Sequence, residues 1–368
     1  MKFILILLFL TNSSAIICAA SINIADLKVP EGFKISIFSE DLDSPRQMAE
    51  GAKGTLFVGE RSGQIIALID SDNNGQADAK RLIADNLTLS TGVSIYNGDL
   101  YFSEISKIWK IKNIEGWLSM HSSGFPEKIL VTDSLPNDSW HGWKWLQHDL
   151  DGNLYLNVGA PCNICLSDNS QYASIMKFTK EGQWTYAAKG VRNSVGFDFH
   201  PTTRKLYFTD NGRDWLGDDS PSCELNRVDK EGSFYGFPFQ HASNIRDPEF
   251  GEMKSGYDYI NPILELGAHV APTGITFYNS SQFPAEFKNN LFITLHGSWN
   301  RTSKVGYKVL RVVFDKAGNV LSSEDFLTGW LQEQNVLGRP SAPFVTSDGS
   351  LLISDDKANV IYRVTYTK

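Results

Sequence analysis

One short signal recurs six times along this chain, and it leaves few folds open. Gly54-Thr55-Leu56-Phe57-Val58 is the first occurrence. Gly98-Asp99-Leu100-Tyr101-Phe102, Gly152-Asn153-Leu154-Tyr155-Leu156, Arg204-Lys205-Leu206-Tyr207-Phe208, Asn289-Asn290-Leu291-Phe292-Ile293 and Gly349-Ser350-Leu351-Leu352-Ile353 follow. Each is a turn leading into an apolar run, as expected of a buried inner strand. The starts lie 44, 54, 52, 85 and 60 residues apart. A second strand-like run usually follows within a hairpin's reach, such as Ile108-Trp109-Lys110-Ile111 or Val360-Ile361-Tyr362-Arg363-Val364. Long amphipathic helices are not evident. Repeats of this length made only of strands predict the blades of a propeller. The reading is an all-β, six-bladed β-propeller forming a single domain over residues 21–368. The long fourth interval, residues 231–288, is expected to hold loop insertions, in keeping with Gly236-Phe237-Pro238 and Asp247-Pro248.

The first 20 residues read differently. Lys2 is a charged start, residues 3–10 are purely apolar, and residues 11–20 are small and polar, as in a signal peptide. The apolar run falls short of the ~20 residues a membrane span needs. Export to the periplasm or beyond is therefore expected, with no stable membrane span. Losing Lys2 would take the net charge from −8 to −9. That acidity, with no Lys/Arg-rich run, excludes nucleic acid as the main partner. Export also permits disulfides. Cys162-Asn163-Ile164-Cys165 suits a redox pair, a metal half-site or a local disulfide. No second CxxC completes a zinc site, and no thioredoxin-like pattern surrounds this one. A structural disulfide is expected, leaving Cys223 unpaired. Asn86 and Asn137 head glycosylation sequons, used only in a eukaryotic secretory path.

Chemistry-bearing residues cluster beside the repeats. Asn211-Gly212-Arg213-Asp214, continuing through Asp218-Asp219 to Glu224-Leu225-Asn226, follows the fourth strand signal and gathers polar backbone, acids and an Arg at a strand end. Trp140-His141-Gly142-Trp143 precedes the third; its His is either a general base or a packed aromatic neighbour. Arg192 and Asn193 precede the fourth, His296-Gly297-Ser298-Trp299-Asn300-Arg301 with Lys304 follows the fifth, and Arg339 precedes the sixth. Arg192, Arg301 and Arg339 thus recur at equivalent loops. Converging on one axis, they would form a pocket for a multiply anionic ligand. His200 reads as a turn residue. Asp70, Asp72, Asn74 and Asp78 have the alternate-oxygen spacing of a structural calcium loop, with Gly75 at the turn. Arg81 stands where a bidentate acid belongs, so an acidic Asn-Gly turn is the competing reading.

Several of these segments together resemble one family. They are residues 159–165, Val191-Arg192-Asn193-Ser194-Val195-Gly196, residues 209–227, residues 296–301, and Gly338-Arg339-Pro340 with Ile353-Ser354-Asp355-Asp356. The chain is similar, over nearly all its length, to the soluble pyrroloquinoline-quinone-dependent aldose/sorbosone dehydrogenases, and most to the sorbosone-dehydrogenase-like branch. The resemblance implies a six-bladed propeller that binds the quinone and Ca2+ at the channel mouth. It implies oxidation of a sugar C1 hydroxyl or a sugar-derived aldehyde, with electrons passing to an external acceptor. By position, His141 matches the catalytic base, and Arg192 the arginine beside the quinone carbonyl. Asn193 matches its neighbour, and the main-chain carbonyls of Gly212 and Arg213 match the Ca2+ ligands. Arg339 matches an arginine on the cofactor carboxylates, with Arg301 or Lys304 as a further cation. Trp140 and Ala160 stand where the glucose dehydrogenase branch has acids, so the carboxylate that would orient the base is missing from those positions. Two other classes share this architecture: a metal-dependent lactonase-type hydrolase, and a non-catalytic carbohydrate- or protein-binding propeller.

Overall fold

The computed structural model of the chain describes residues 23–253 and 258–367; the expected signal peptide lies outside them. Six antiparallel sheets carry the repeat. Blade 1 is Pro45–Glu50, Leu56–Glu60, Gln64–Ile69 and Ala79–Ala84. Blade 2 is Val93–Tyr96, Asp99–Ser103, Ile108–Ile111 and Ile129–Thr132. Blade 3 is Leu146–His148, Leu154–Val158, Ser174–Phe178 and Trp184–Lys189, to which Ser233–Phe234 adds in parallel. Blade 4 is Phe197–Phe199, Leu206–Asp210, Ser222–Arg227 and Leu264–Ala268. Blade 5 is Pro272–Phe277, Leu291–Leu295, Lys308–Phe314 and Val320–Leu327. Blade 6 takes Pro340–Val345, Leu351–Asp355 and Val360–Tyr366 from the end of the chain and its outer strand, Phe33–Ser39, from the beginning. Ile35 lies opposite Val364 in that closing pair.

The repeated signal marks the second strand of each blade, an inner strand as its apolar run suggests. A second strand has a paired neighbour on each side and a blade against each face. Leu56–Glu60, Leu154–Val158, Leu206–Asp210, Leu291–Leu295 and Leu351–Asp355 are accordingly buried throughout. The first strands instead line a shared central cavity of about 180 Å³, with side chains from all six blades including Gln47, His148 and Asp198. Facing a channel, they need no apolar run and leave none in the sequence. The fourth interval is likewise more than insertion. It contains the outer strand of blade 4 and the first strand of blade 5, beside a Gln240–His241/Ile245–Arg246 hairpin. Among the described residues there is one α-helix, Ile114–Met120.

Packing between blades is aromatic where the ring closes. Phe33 of the closing strand meets Phe283, Phe287 and Phe326 edge-on at 4.8, 5.1 and 5.1 Å. Such pairs contribute about 0.5–1.5 kcal/mol each beyond area burial. Because strands alternate in direction, two kinds of loop open at one mouth of the channel. They are the loops entering a first strand and the loops joining second to third strands. We call this the upper mouth. Loops joining third to fourth strands open at the other.

Candidate active site

The residue directly after each second strand sits at the upper mouth: Arg61, Glu104, Gly159, Asn211, His296 and Asp356 for blades 1 to 6. Contacts between these loops run almost continuously round the channel. Arg61 lies 5.1 Å from the ring of Trp143, in the loop entering blade 3, and reaches Asp356 of blade 6. Asp356 binds His296 of blade 5 at 2.8 Å and Arg46 of blade 1 at 2.5 Å. The same blade 5 loop sends Asn300 to Asp214 of blade 4 at 2.6 Å. Asp214 pairs with Arg192 at 3.3 Å. Arg192 is gripped by Asn163 of blade 3, whose loop also holds His141.

His141 is fixed by its main chain and its ring. Its φ of +52° places a non-glycine residue in the left-handed region. Its Nδ1 lies 2.8 Å from the carbonyl of Ala160, so Nδ1–H donates and the lone pair falls on Nε2. A backbone carbonyl thus does the orienting that no carboxylate at Trp140 or Ala160 provides. Burial first, and then the Arg192 charge, push the imidazole down to about 3, so it is neutral at physiological pH. The approach is close enough to need glycine opposite: a Cβ on Gly159 would stand 2.6 Å from the His141 Cβ and 3.3 Å from Asn193 Oδ1. That Asn193 oxygen is buried without a hydrogen-bond partner.

Arg192, 4% exposed, gives Nε–H to Asn163 O, Nη2–H to Asn163 Oδ1 and Asp214 Oδ2, and Nη1–H to Asn211 O. Of a guanidinium's five N–H groups one, on Nη1, is left for a ligand. Asp210 accepts from the main-chain N–H groups of both Arg192 and Asn193, at 2.8 and 2.6 Å, which locks their turn. The Arg213 side chain turns away into a buried pair with Asp247, itself bound by His241. The carbonyls of Gly212 and Arg213 accept no hydrogen bond from any described residue.

Arg339 donates to the carbonyls of His296 and Gly297 at 3.1 and 2.6 Å and lies over the Tyr307 ring. It stands beside the Arg46–Arg61–His296 group, whose cations hold the Asp356 carboxyl far below the usual range despite its burial. The ring therefore brings together His141, Arg192, Asn193, Gly212, Arg213 and Arg339. Arg301 and Lys304 share the mouth but are tied at its rim: Arg301 to Asp219 and the carbonyls of Asp218 and Ser303, Lys304 to Gln334. Trp215 and Trp299, 69% and 68% exposed, meet edge-to-face at 5.7 Å beside Asp214 and Asn300 and present apolar faces at the opening.

Arg46, Arg61 and the Trp215–Trp299 pair escaped the sequence reading. Arg61 had a usable signal, since it occupies in blade 1 the position that Asn211 and His296 occupy in blades 4 and 5. The Asp70–Asp78 loop joins third to fourth strands and so lies at the opposite mouth. Oxygens of Asp70, Asp72 and Asp78 come within 4.8 Å of one another, while Asp70 and Asp72 also accept main-chain N–H groups of Asn74 and Gly75. Cys162 and Cys165 are joined, and Cys223 is buried and unbonded. His200 caps its turn through Thr202 and Thr203.

Comparison with known proteins agrees with this architecture. The family described as TrAA12-like matches residues 27–367. An uncharacterized protein of Borreliella burgdorferi is 35% identical over 365 residues, spanning 96% of this chain and 95% of its own length. The holo form of the pyranose dehydrogenase PQQ domain from Coprinopsis cinerea has the same fold, with a TM-score of 0.78 at 18% identity over 92% of this chain and 97% of that one. The calcium structure of Trichoderma reesei carbohydrate-active enzymes family AA12 gives 0.77 at 20% identity, over 93% and 97%.

Proposed function

This chain belongs to the TrAA12-like family, and from that premise we propose that it is an exported oxidoreductase. It would oxidise the C1 hydroxyl of an aldose, or a sugar-derived aldehyde, by hydride transfer to Ca2+-bound pyrroloquinoline quinone. The observation that carries the reading is His141: a neutral imidazole, fixed through Nδ1, beside an arginine and an unpartnered buried amide oxygen at a channel mouth.

The residues present fit both groups. Arg192, with an N–H to spare, and the Arg46, Arg61 and Arg339 guanidiniums near Asp356 suit a multiply anionic ligand. The unengaged carbonyls of Gly212 and Arg213 are hard oxygen donors of the kind Ca2+ takes. Bound there, the quinone would supply the hydride acceptor and the calcium a Lewis acid. His141 Nε2 takes the proton of the sugar hydroxyl. Its depressed pKa keeps that lone pair free at every working pH, and the hydroxyl proton becomes acidic as hydride leaves. Arg192 turns its remaining N–H toward developing negative charge. Trp215 and Trp299 offer the flat apolar surface that a sugar ring covers. An external acceptor then takes the electrons. Export is supported by the Cys162–Cys165 bond, which persists in oxidising compartments.

A lactonase would hold its metal with several side-chain carboxylates on the axis. Among the described residues the one such group, Asp70, Asp72 and Asp78, is at the other mouth. The test is to add Ca2+ and the quinone to purified protein and follow dye reduction with a panel of aldoses and aldehydes. His141→Ala should abolish turnover and leave the quinone titration unchanged. Lactone hydrolysis without quinone binding would instead establish the hydrolase.

A further inference from the structure

We propose that Asn163, carried in the four-residue Cys162–Cys165 disulfide loop, is the positioning residue that sets Arg192 and the calcium-binding carbonyl of Arg213. The inference rests on the cofactor reading above, but its argument is geometric. Asn163 bonds two groups from different loops at once. Its main-chain carbonyl and Oδ1 accept the Nε–H and Nη2–H of Arg192, each at 2.8 Å, as a two-pronged fork. Its Oδ1 also accepts the main-chain N–H of Asp214 at 2.8 Å, and its Nδ2 donates to the Asp214 carbonyl at 3.2 Å. The side-chain amide thus pairs with Asp214 as a neighbouring strand would.

The Asp214 N–H belongs to the same peptide group as the Arg213 carbonyl. That peptide is trans, so the carbonyl points away from the N–H it shares a plane with. Fixing the N–H on Asn163 therefore fixes the direction of the Arg213 carbonyl, on the side of the peptide away from Asn163. The peptide joining Asn211 to Gly212 is tied as well: the Asn211 carbonyl accepts Arg192 Nη1–H, and the Gly212 N–H faces the Cys223 sulfur. Asn163 itself sits in a surface loop between Leu154–Val158 and Ser174–Phe178, with no strand of its own to hold it. The disulfide closing over residues 162–165 supplies that constraint. Its reduction would free Asn163 and slacken both the cation and the quinone sites.

The test uses quinone-free protein, in wild type, Asn163→Ala, Asn163→Asp and reductant-treated forms. Ca2+ affinity is read by calorimetry, quinone affinity by titration, and arginine reactivity by phenylglyoxal labelling with peptide mapping. Asn163→Ala and reduced protein should lose about tenfold or more in Ca2+ affinity, the scale seen when a ligand's supporting partner is removed. Arg192 should become labelled while Arg311, also buried, in blade 5, stays protected. Asn163→Asp keeps the acceptors for Arg192 and Asp214 N–H and should label as wild type does. Labelling of both arginines would mean general unfolding and overturn the positioning role. So would unchanged Ca2+ affinity with Arg192 still protected in folded Asn163→Ala. Wild-type protein that binds neither Ca2+ nor quinone would instead remove the cofactor reading, while Arg192 labelling still reports on the clamp.

Discussion

At the scale of single residues, the candidate site depends on close approach. Gly159 lets the His141 loop lie against blade 3, and nothing larger fits without displacing the base. Gly159→Ala should lower kcat by about a hundredfold, the effect of roughly ångström misplacement of a catalytic group. Its melting temperature should fall only slightly. Steady-state kinetics beside a thermal melt separates the two. His141, Arg192, Asn193, Gly212, Arg213 and Arg339 could be named as candidates from the sequence because each sits in a motif at a repeat boundary. Asn163 was on view inside its CxxC. Its role was not, because the partners it joins are 29 and 51 residues away. Trp215 could not be distinguished from a core tryptophan by type alone; exposure is a property of the folded surface.

At the scale of elements, the second and third strands of blade 4 carry an unusual burden. Asp210 and Glu224 lie directly opposite each other in the ladder, and both are buried. Burial first, together with the mutual repulsion of the two acids, raises Glu224, and burial likewise raises Asp210. A folded-state pKa above the unfolded one means that the native protein binds more protons. The associated stability is complete below about pH 4, the unfolded carboxylate range, and is lost as pH rises through the folded values. Melting temperature should therefore fall as pH rises from about 4 to about 8 and level off above that. Glu224→Gln, which cannot ionise and keeps an acceptor for the Ala242 N–H, should flatten that slope. A slope identical to wild type would show that the pair is not its source. The strand signal itself was legible, as a turn before an apolar run, and it marked the buried second strand of each blade. First strands were silent because a channel wall carries no hydrophobic pattern.

At the scale of the whole molecule, the ring is held shut by two devices far apart in sequence. Phe33–Ser39 completes the last blade, and Asp356 gathers Arg46, Arg61 and His296 from blades 1 and 5. Removing Asp356 leaves the largely buried Arg46 guanidinium charged and without its carboxylate, at about 3–5 kcal/mol. Asp356→Asn should lose stability on that scale in chemical denaturation and weaken quinone binding, since Arg46 and Arg61 would no longer be placed. Full stability in that variant would show that the closing strand alone secures the ring.

What the sequence by itself determined was periodic: six strand signals, hence six blades, and the boundary motifs that fall in phase with them. Periodicity survives in a linear string because each blade repeats the same burial problem. The tertiary structure decided which loops share a mouth, which of the cations are tied at its rim, and that Asp70–Asp78 lies at the far end from His141. Those outcomes depend on strand direction and on contacts between blades. They are set by the closing of the ring, and no local stretch of residues encodes them.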